Sequence, residues 1–213
     1  MIDPVHDIQK AFRRLVSAYS FPGTPFKLVP DDLTTGFSGR IHPAIAVLAM
    51  IFLDGEVTAY FHEMEEDDIL LLKQICRSPS AGPETADFLF FANAEDCGQS
   101  KISAVSKAKT GNLADPHEGA DVILAVDKLP AELKGPVAAN GKTLTLSGPG
   151  LEKKKILVCR DPEKNDFWWV EARNKLCREF PLGIEVTLVD KQSNVMAIPR
   201  STKAVLSTPG RDN

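Results

Sequence analysis

Residues 180–200 read Phe-Pro-Leu-Gly-Ile-Glu-Val-Thr-Leu-Val-Asp-Lys-Gln-Ser-Asn-Val-Met-Ala-Ile-Pro-Arg, and this stretch sets the fold class. Ile184–Val189 and Val195–Ile198 are apolar, β-rich runs flanking the polar stretch Asp190-Lys191-Gln192-Ser193-Asn194, which predicts a β-hairpin. Upstream, from Pro162 to Glu179, the pattern turns helical, with Phe167, Val170, Asn174 and Cys177 near one face. Further upstream, Ile156–Cys159 and Thr143–Leu146 read as strands, the latter ending in Ser147-Gly148-Pro149-Gly150. Val122–Val126 and Phe88-Leu89-Phe90-Phe91 read as buried strands, with a short helix over 99–108 between them. Strands and helices also interleave through the first half. Ile8, Phe12, Leu15, Val16 and Tyr19 form a helical stripe that ends before Pro22. A short extended segment, Phe26 to Val29, leads into the loop Asp31–Arg40. Pro43 opens an apolar helix through Leu53, Val57–Phe61 reads as a strand, and Glu65–Cys76 reads as a helix with an acidic first turn. The whole predicts one α/β layered domain with a mixed sheet over residues 1–203. Residues 204–213 are expected to form a disordered tail.

Composition narrows the function. The chain has 213 residues and a net charge of −4; its pI is near 5.6. A nucleic-acid partner is not expected, because binding a phosphate backbone draws on a basic excess. Cys76, Cys97, Cys159 and Cys177 form no C-x-x-C pair, and no histidine stands at zinc-ligand spacing. The longest apolar run, Ala44 to Leu53, is half a membrane span, and the first twenty residues lack a signal-peptide pattern. A cytoplasmic protein with reduced thiols and no membrane partner is the expectation.

Several motifs invite chemistry, and each has a plainer reading. The glycine loop at Gly148 and Gly150 follows a strand, where backbone N–H groups can face a phosphate. It matches neither Walker A nor G-x-G-x-x-G, so a tight turn is favoured. Arg13 and Arg14 lie off the helix stripe and suit a phosphate or a partner's carboxylates; a solvated flank with local ion pairs is the alternative. Asp115-Pro116-His117-Glu118-Gly119 holds a histidine between carboxylates, but no nucleophile motif accompanies it. Lys153-Lys154-Lys155 reads as a solvated lead-in to a strand. Trp168 and Trp169 are neighbours on a predicted helix, so one is expected in the core and the other at an interface.

Taken as whole segments, the chain resembles the H-subunit family of the bacterial carbon–phosphorus lyase system, PhnH. Phe12-Arg13-Arg14-Leu15 with Pro22-Gly23, the stretch Gly111 to Leu129, Leu144 to Leu151, and Phe180 to Thr202 carry the resemblance in order. It implies a three-layer mixed β-sheet flanked by helices, similar to the large domain of pyridoxal-phosphate-dependent transferases but without the cofactor. It also implies a non-catalytic or accessory role in a complex with the G, I and J subunits. That complex couples alkylphosphonate to the ribose C1 of ATP with loss of adenine, giving ribose 1-phosphonate 5-triphosphate. A homodimer is expected for the isolated chain. Candidate ligand- or partner-binding residues are Arg13, Arg14, Gly148, Gly150, Gly183 and Arg200, the last as part of a rigid docking edge. Two other readings stand beside this one: a stand-alone pyridoxal-phosphate transferase, and a small phosphonate- or nucleotide-binding module.

Overall fold

A computed structural model describes residues 3, 5–30, 41–94, 98–135, 142–159 and 167–207. The loop Asp31–Arg40, Cys97, the start of the expected helix at Pro162 and the last six residues lie outside the described residues. Ten strands are described: β1 Phe26–Lys27, β2 Ala59–His62, β3 Phe88–Phe91, β4 Asp121–Val126, β5 Ala131–Glu132, β6 Thr143–Ser147, β7 Lys155–Val158, β8 Glu185–Asp190, β9 Asn194–Ile198 and β10 Lys203–Ser207. The helices are α1 His6–Ser20, α2 Pro43–Phe52, α3 Glu66–Cys76, α4 Gln99–Ser106 and α5 Val170–Leu176.

The strands form two sheets. The larger has the order β1-β9-β8-β4-β3-β2. Its four strands β2, β3, β4 and β8 run parallel, and the predicted hairpin supplies antiparallel β9, with Val189 opposite Val195. Successive side chains on a strand point to opposite faces, and both faces here are apolar. Leu89 and Phe91 of β3, Val122 and Leu124 of β4, and Val186 and Leu188 of β8 share one buried cluster with α4, α5 and the second sheet. Phe90, Ile123, Val189, Val195 and Ala197 share another with α1, α2 and α3. Such continuous apolar runs are the pattern of a parallel sheet covered on both sides.

The second sheet is antiparallel, with the order β10-β6-β7-β5. The sequence pattern predicts a single mixed sheet and a tail from residue 204. Instead Lys203–Ser207 forms β10, with Ala204 opposite Leu146. Only Ala204 of β10 is buried, and the strand is held by its ladder bonds to β6.

Two helices show how local chemistry sets orientation. Pro43 occupies the first turn of α2, and the His42 ring Nδ1 accepts from the Ala44 N–H at 3.2 Å, capping it; six consecutive residues, Ala44 to Ala49, are buried. In α1, by contrast, Ala11, Leu15 and Ala18 face inward, while Phe12 and Val16 of the expected stripe are exposed. Small residues let the helix lie close to β9, and this rotation leaves Phe12, Val16 and Phe52 along a shallow apolar groove. Ile123 sits at the centre of the larger sheet with no exposed surface. Ile123→Val should therefore cost about 1 kcal/mol in urea unfolding; a loss above roughly 3 kcal/mol would contradict a locally contained cavity.

Candidate functional site

The turn from β9 to β10, residues Pro199 to Thr202, is gripped from two sides. From α5, Arg173 donates through Nη2 to the carbonyls of Pro199 at 2.6 Å and Thr202 at 2.7 Å, and through Nη1 to Asn174 Oδ1 at 3.1 Å. Asn174 in turn donates to the Ala204 carbonyl at 2.7 Å. From β8, the Glu185 carboxylate accepts from the Arg200 backbone N–H at 2.6 Å and from its Nε at 2.5 Å. Arg200 also donates through Nη1 to the Pro116 carbonyl, tying the loop before β4 to the same turn.

Beside this turn opens a cleft of about 370 Å³. Arg173, Arg178, Arg200 and Lys203 line it together with Thr202 and Phe180, and no carboxylate belongs to its described wall. Arg178 and Lys203 stand exposed at its rim and make no ion pair with a described residue. Arg173 and Thr202 are each only 1% exposed, yet the Arg173 Nε and the Thr202 hydroxyl have no hydrogen-bond partner among the described residues. Burial holds the Arg173 guanidinium below its ordinary pKa, with Cys177 and Glu185 opposing the shift. Buried polar groups are normally paired, so the floor of the cleft is under-satisfied.

A second polar knot adjoins the Arg200–Glu185 pair. Asp121 opens β4 directly opposite Glu185 of β8. Tyr19 of α1 donates to Asp121 at 2.9 Å and lies 3.0 Å from the Thr187 hydroxyl. Burial first, and then the neighbouring Glu185 charge, push the Asp121 carboxyl up to about 7. The Tyr19 phenol is raised well above its ordinary value, again by burial and then by Asp121.

The glycines among the expected site residues have packing reasons. A Cβ on Gly183, at φ +137°, would meet Cys177 Sγ at 2.5 Å; on Gly150, at φ +79°, it would meet the Ser20 carbonyl oxygen at 2.5 Å. Gly148, at φ +135°, lies against the Ser201 carbonyl. The Gly148–Gly150 turn thus docks on the end of α1 and on the β9–β10 turn, as the tight-turn reading requires. Gly183 and Arg200 come together through Gly119. Arg13 and Arg14 lie elsewhere, exposed on α1, where Arg14 donates to the Lys27 carbonyl at 3.0 Å. Arg200, the expected docking-edge residue, is tied inward by its bonds to Glu185 and keeps its side chain 19% exposed.

Both tryptophans are buried, against the expectation of one in the core and one at an interface. They precede α5 rather than lying within it. The core therefore receives both, and the Trp168 indole N–H donates to the Ala94 carbonyl at 3.0 Å. Sequence reasoning does not single out Arg173, Arg178, Thr202 or Lys203. The one available signal is Arg173 itself, a cation three residues after Val170 and four after Trp169, on the buried side of α5. A further network at the far edge joins Tyr60 to His62 Nδ1 at 2.9 Å, and Glu63 to Ser100 at 3.1 Å and Lys101 at 3.7 Å. Among the described residues, no cluster of three or more His, Cys, Asp or Glu side chains is placed to hold a metal. No described helix is long and apolar enough to cross a membrane.

Comparison with known proteins bears directly on this architecture. A curated relative from Stutzerimonas stutzeri, described as a putative C-P lyase subunit protein HtxG, is 26% identical over 194 residues, covering 91% of this chain and 84% of its own length. The family model for bacterial phosphonate metabolism protein (PhnH) matches residues 1–205, spanning both sheets and all the elements around the cleft. The chain belongs to the PhnH family of bacterial phosphonate metabolism proteins.

Proposed function

We propose that this protein is an accessory, non-catalytic subunit of a carbon–phosphorus lyase core complex. In that complex it would support the coupling of alkylphosphonate to the ribose C1 of ATP, with loss of adenine, to give ribose 1-phosphonate 5-triphosphate. The observation that carries the reading is the family match across residues 1–205, and the C-P lyase subunit relative supports it. The G, I and J subunits are the proposed partners, the cytoplasm the proposed location, and a homodimer the proposed state of the isolated chain. The likeness to the large domain of pyridoxal-phosphate-dependent transferases belongs to the same proposal. A mixed sheet covered by helices on one face, and by helices and a second sheet on the other, is compatible with it.

The docking surface is sought first at exposed apolar residues near the family's densest block, above all Phe180, which is 77% exposed. Large aromatic side chains dominate interface energetics when a partner buries them. Co-expression of a tagged chain with the G, I and J subunits should recover them together. Phe180→Asp should lower that recovery at least severalfold while leaving the melting temperature within about 2 °C, since an exposed substitution changes stability little. A wild-type chain that purifies alone, and whose deletion leaves growth on methylphosphonate as sole phosphorus source intact, would overturn the proposal.

The cleft beside Arg200 favours one alternative, a small module that binds a phosphonate or nucleotide on its own. A stand-alone pyridoxal-phosphate transferase is distinguished by absorbance: an internal aldimine absorbs in the near ultraviolet or visible, and purified protein that stays colourless with added cofactor rejects it.

A further inference from the structure

We infer that the groove along the outer side of α1 seats an amphipathic helix of a partner subunit, one whose apolar face is flanked by carboxylates. The inference rests on the reading of the chain as a subunit of a complex and deepens it, by giving the chemistry of one partner segment.

Three features of the groove point to that occupant. The first is its lining. About 300 Å³ of open space lies along Phe12, Leu15, Val16 and Tyr19 of α1, with Ser20 and Phe52 completing the wall. Phe12 and Val16, one turn apart, are 51% and 47% exposed, and Phe21, just past the helix, is 56% exposed. Single exposed apolar residues are ordinary, but a contiguous row of them marks an interaction surface. The polar atoms of the wall are already used: the Ser20 hydroxyl donates to the Val16 carbonyl at 2.8 Å, and the Tyr19 phenol to Asp121 at 2.9 Å. The groove therefore offers apolar contact without convergent hydrogen-bonding groups, which suits a stripe of side chains and not a polar metabolite.

The second feature is shape. From Phe12 to Ser20 the groove follows two turns of α1, about 12 Å. Its walls are fixed, because Leu15 and Ala18 anchor α1 in the core and the Phe52 ring stacks on Phe88 at 4.9 Å. A rigid apolar groove of that length beside a helix takes the one-turn-spaced apolar residues of a second helix.

The third feature is charge. Gln9, Arg13 and Ser17 follow one another four residues apart, so they line one flank of the Phe12–Val16 row. Arg13 is exposed, and no described residue pairs with its guanidinium. Asp7, the one carboxylate of α1, is already paired with Lys10 at 3.6 Å. A carboxylate beside the partner's apolar stripe meets Arg13, and guanidinium matches it two oxygens at a time. The same flank argues against a second copy of this chain as occupant. A two-fold pairing would bring the flank against its own copy, cation towards cation, with no carboxylate on it to offset the repulsion.

The test uses the tagged full-length chain co-expressed with the G, I and J subunits. A photo-crosslinking phenylalanine analogue in place of Phe12 should capture a peptide of one of those subunits, with apolar residues at helical spacing and Asp or Glu beside them. Phe12→Gln/Val16→Gln should lower recovery of the captured subunit at least about fivefold, with the melting temperature within about 4 °C of wild type. Arg13→Glu, which touches no packed surface, should lower it about threefold or more at low salt, and added salt should narrow the gap. Several results would overturn the inference. One is recovery unchanged in both variants; another is a crosslink to a second copy of this chain. A third is wild-type binding to phosphatidylcholine–phosphatidylglycerol vesicles that the double variant loses, which would make the groove a membrane seat. Wild-type chain that recovers the subunits while the variants do so equally well sinks this surface alone. Wild-type chain that recovers none of them sinks the proposed function and this inference together.

Discussion

Gly119→Ala is expected to destabilise the protein by more than about 4 kcal/mol, a loss reserved for substitutions that force backbone apart. The cause is a contact between two stretches of main chain. A Cβ at position 119 would sit 2.2 Å from the Gly183 carbonyl oxygen, 3.0 Å from Arg200 Nη1 and 3.1 Å from the Thr110 carbonyl oxygen. None of these is the far end of a free side chain: Arg200 is fixed by Glu185, and the Gly183 N–H donates to the Thr110 carbonyl at 3.0 Å. Relieving the clash would part the 110–119 loop from the turn before β8 and release Arg200 from Pro116. With total stability typically about 5–15 kcal/mol, the variant should be partly unfolded at body temperature. Urea unfolding, or the soluble fraction on expression, reads this directly. Gly55→Ala is the control: nothing lies within 4 Å of its Cβ position, and its effect should stay within about 0.5 kcal/mol. A loss below roughly 1 kcal/mol at position 119 would show that the two loops are not pressed together.

The second large effect is expected in the pH dependence of stability at Asp121. Its carboxyl ordinarily titrates at 3.8, and in the folded protein it is pushed up to about 7 by burial and by the Glu185 charge. Between those two values the native state binds the proton and the unfolded state does not. Stability therefore falls as pH rises from about 4 to 7 and stays low above that window. A rise from 3.8 to about 7 sets a ceiling of roughly 4 kcal/mol, and relaxation around the group brings the expected effect to roughly 2–4 kcal/mol. Asp121→Asn keeps an acceptor for the Tyr19 hydroxyl, which sits 2.9 Å away, and removes the titration. The variant should gain stability over wild type at about pH 8 and lose that advantage by about pH 4. The measured quantity is the difference between the two denaturation midpoints across the range, which cancels the other carboxylates. A difference that does not change with pH would mean that Asp121 ionises as an ordinary surface acid.

Much of the frame is legible in the sequence because its strands are apolar runs bounded by turn residues. Phe88–Phe91 is a strand over the very residues its pattern marks, and the 190–194 hairpin lies where its polar turn predicts. The helix bounds of α1, α2 and α3 follow from Pro22, Pro43 and the acidic first turn at Glu65 and Glu66. Two things are hidden for physical reasons. The rotation of α1 depends on how closely Ala11 and Ala18 let it approach β9, and hydrophobic periodicity ranks Phe12 and Val16 above those alanines. The existence of β10 depends on a ladder to β6, some sixty residues upstream in the chain, and its own composition says nothing of that partner. The cleft is less legible still. Arg173, Arg178, Arg200 and Lys203 come from a helix, its exit, the turn after β9 and the start of β10. No local pattern joins them; only the packing of α5 against the β9–β10 turn does.

The pairing of β1 with β9 has a consequence for synthesis. Phe26 finds its ladder partner only at Val195, so the sheet cannot be completed until almost the whole chain has been translated. At roughly 5–20 residues per second, β1 and the α1 helix that rests on it wait on the order of ten seconds or more beside the ribosome. During that time Phe26 and the inner face of α1, Leu15 included, have no β9 to cover them. Nascent chains stalled before position 195 should accordingly recruit a general chaperone through their N-terminal segment, and chains long enough to expose residue 198 should release it.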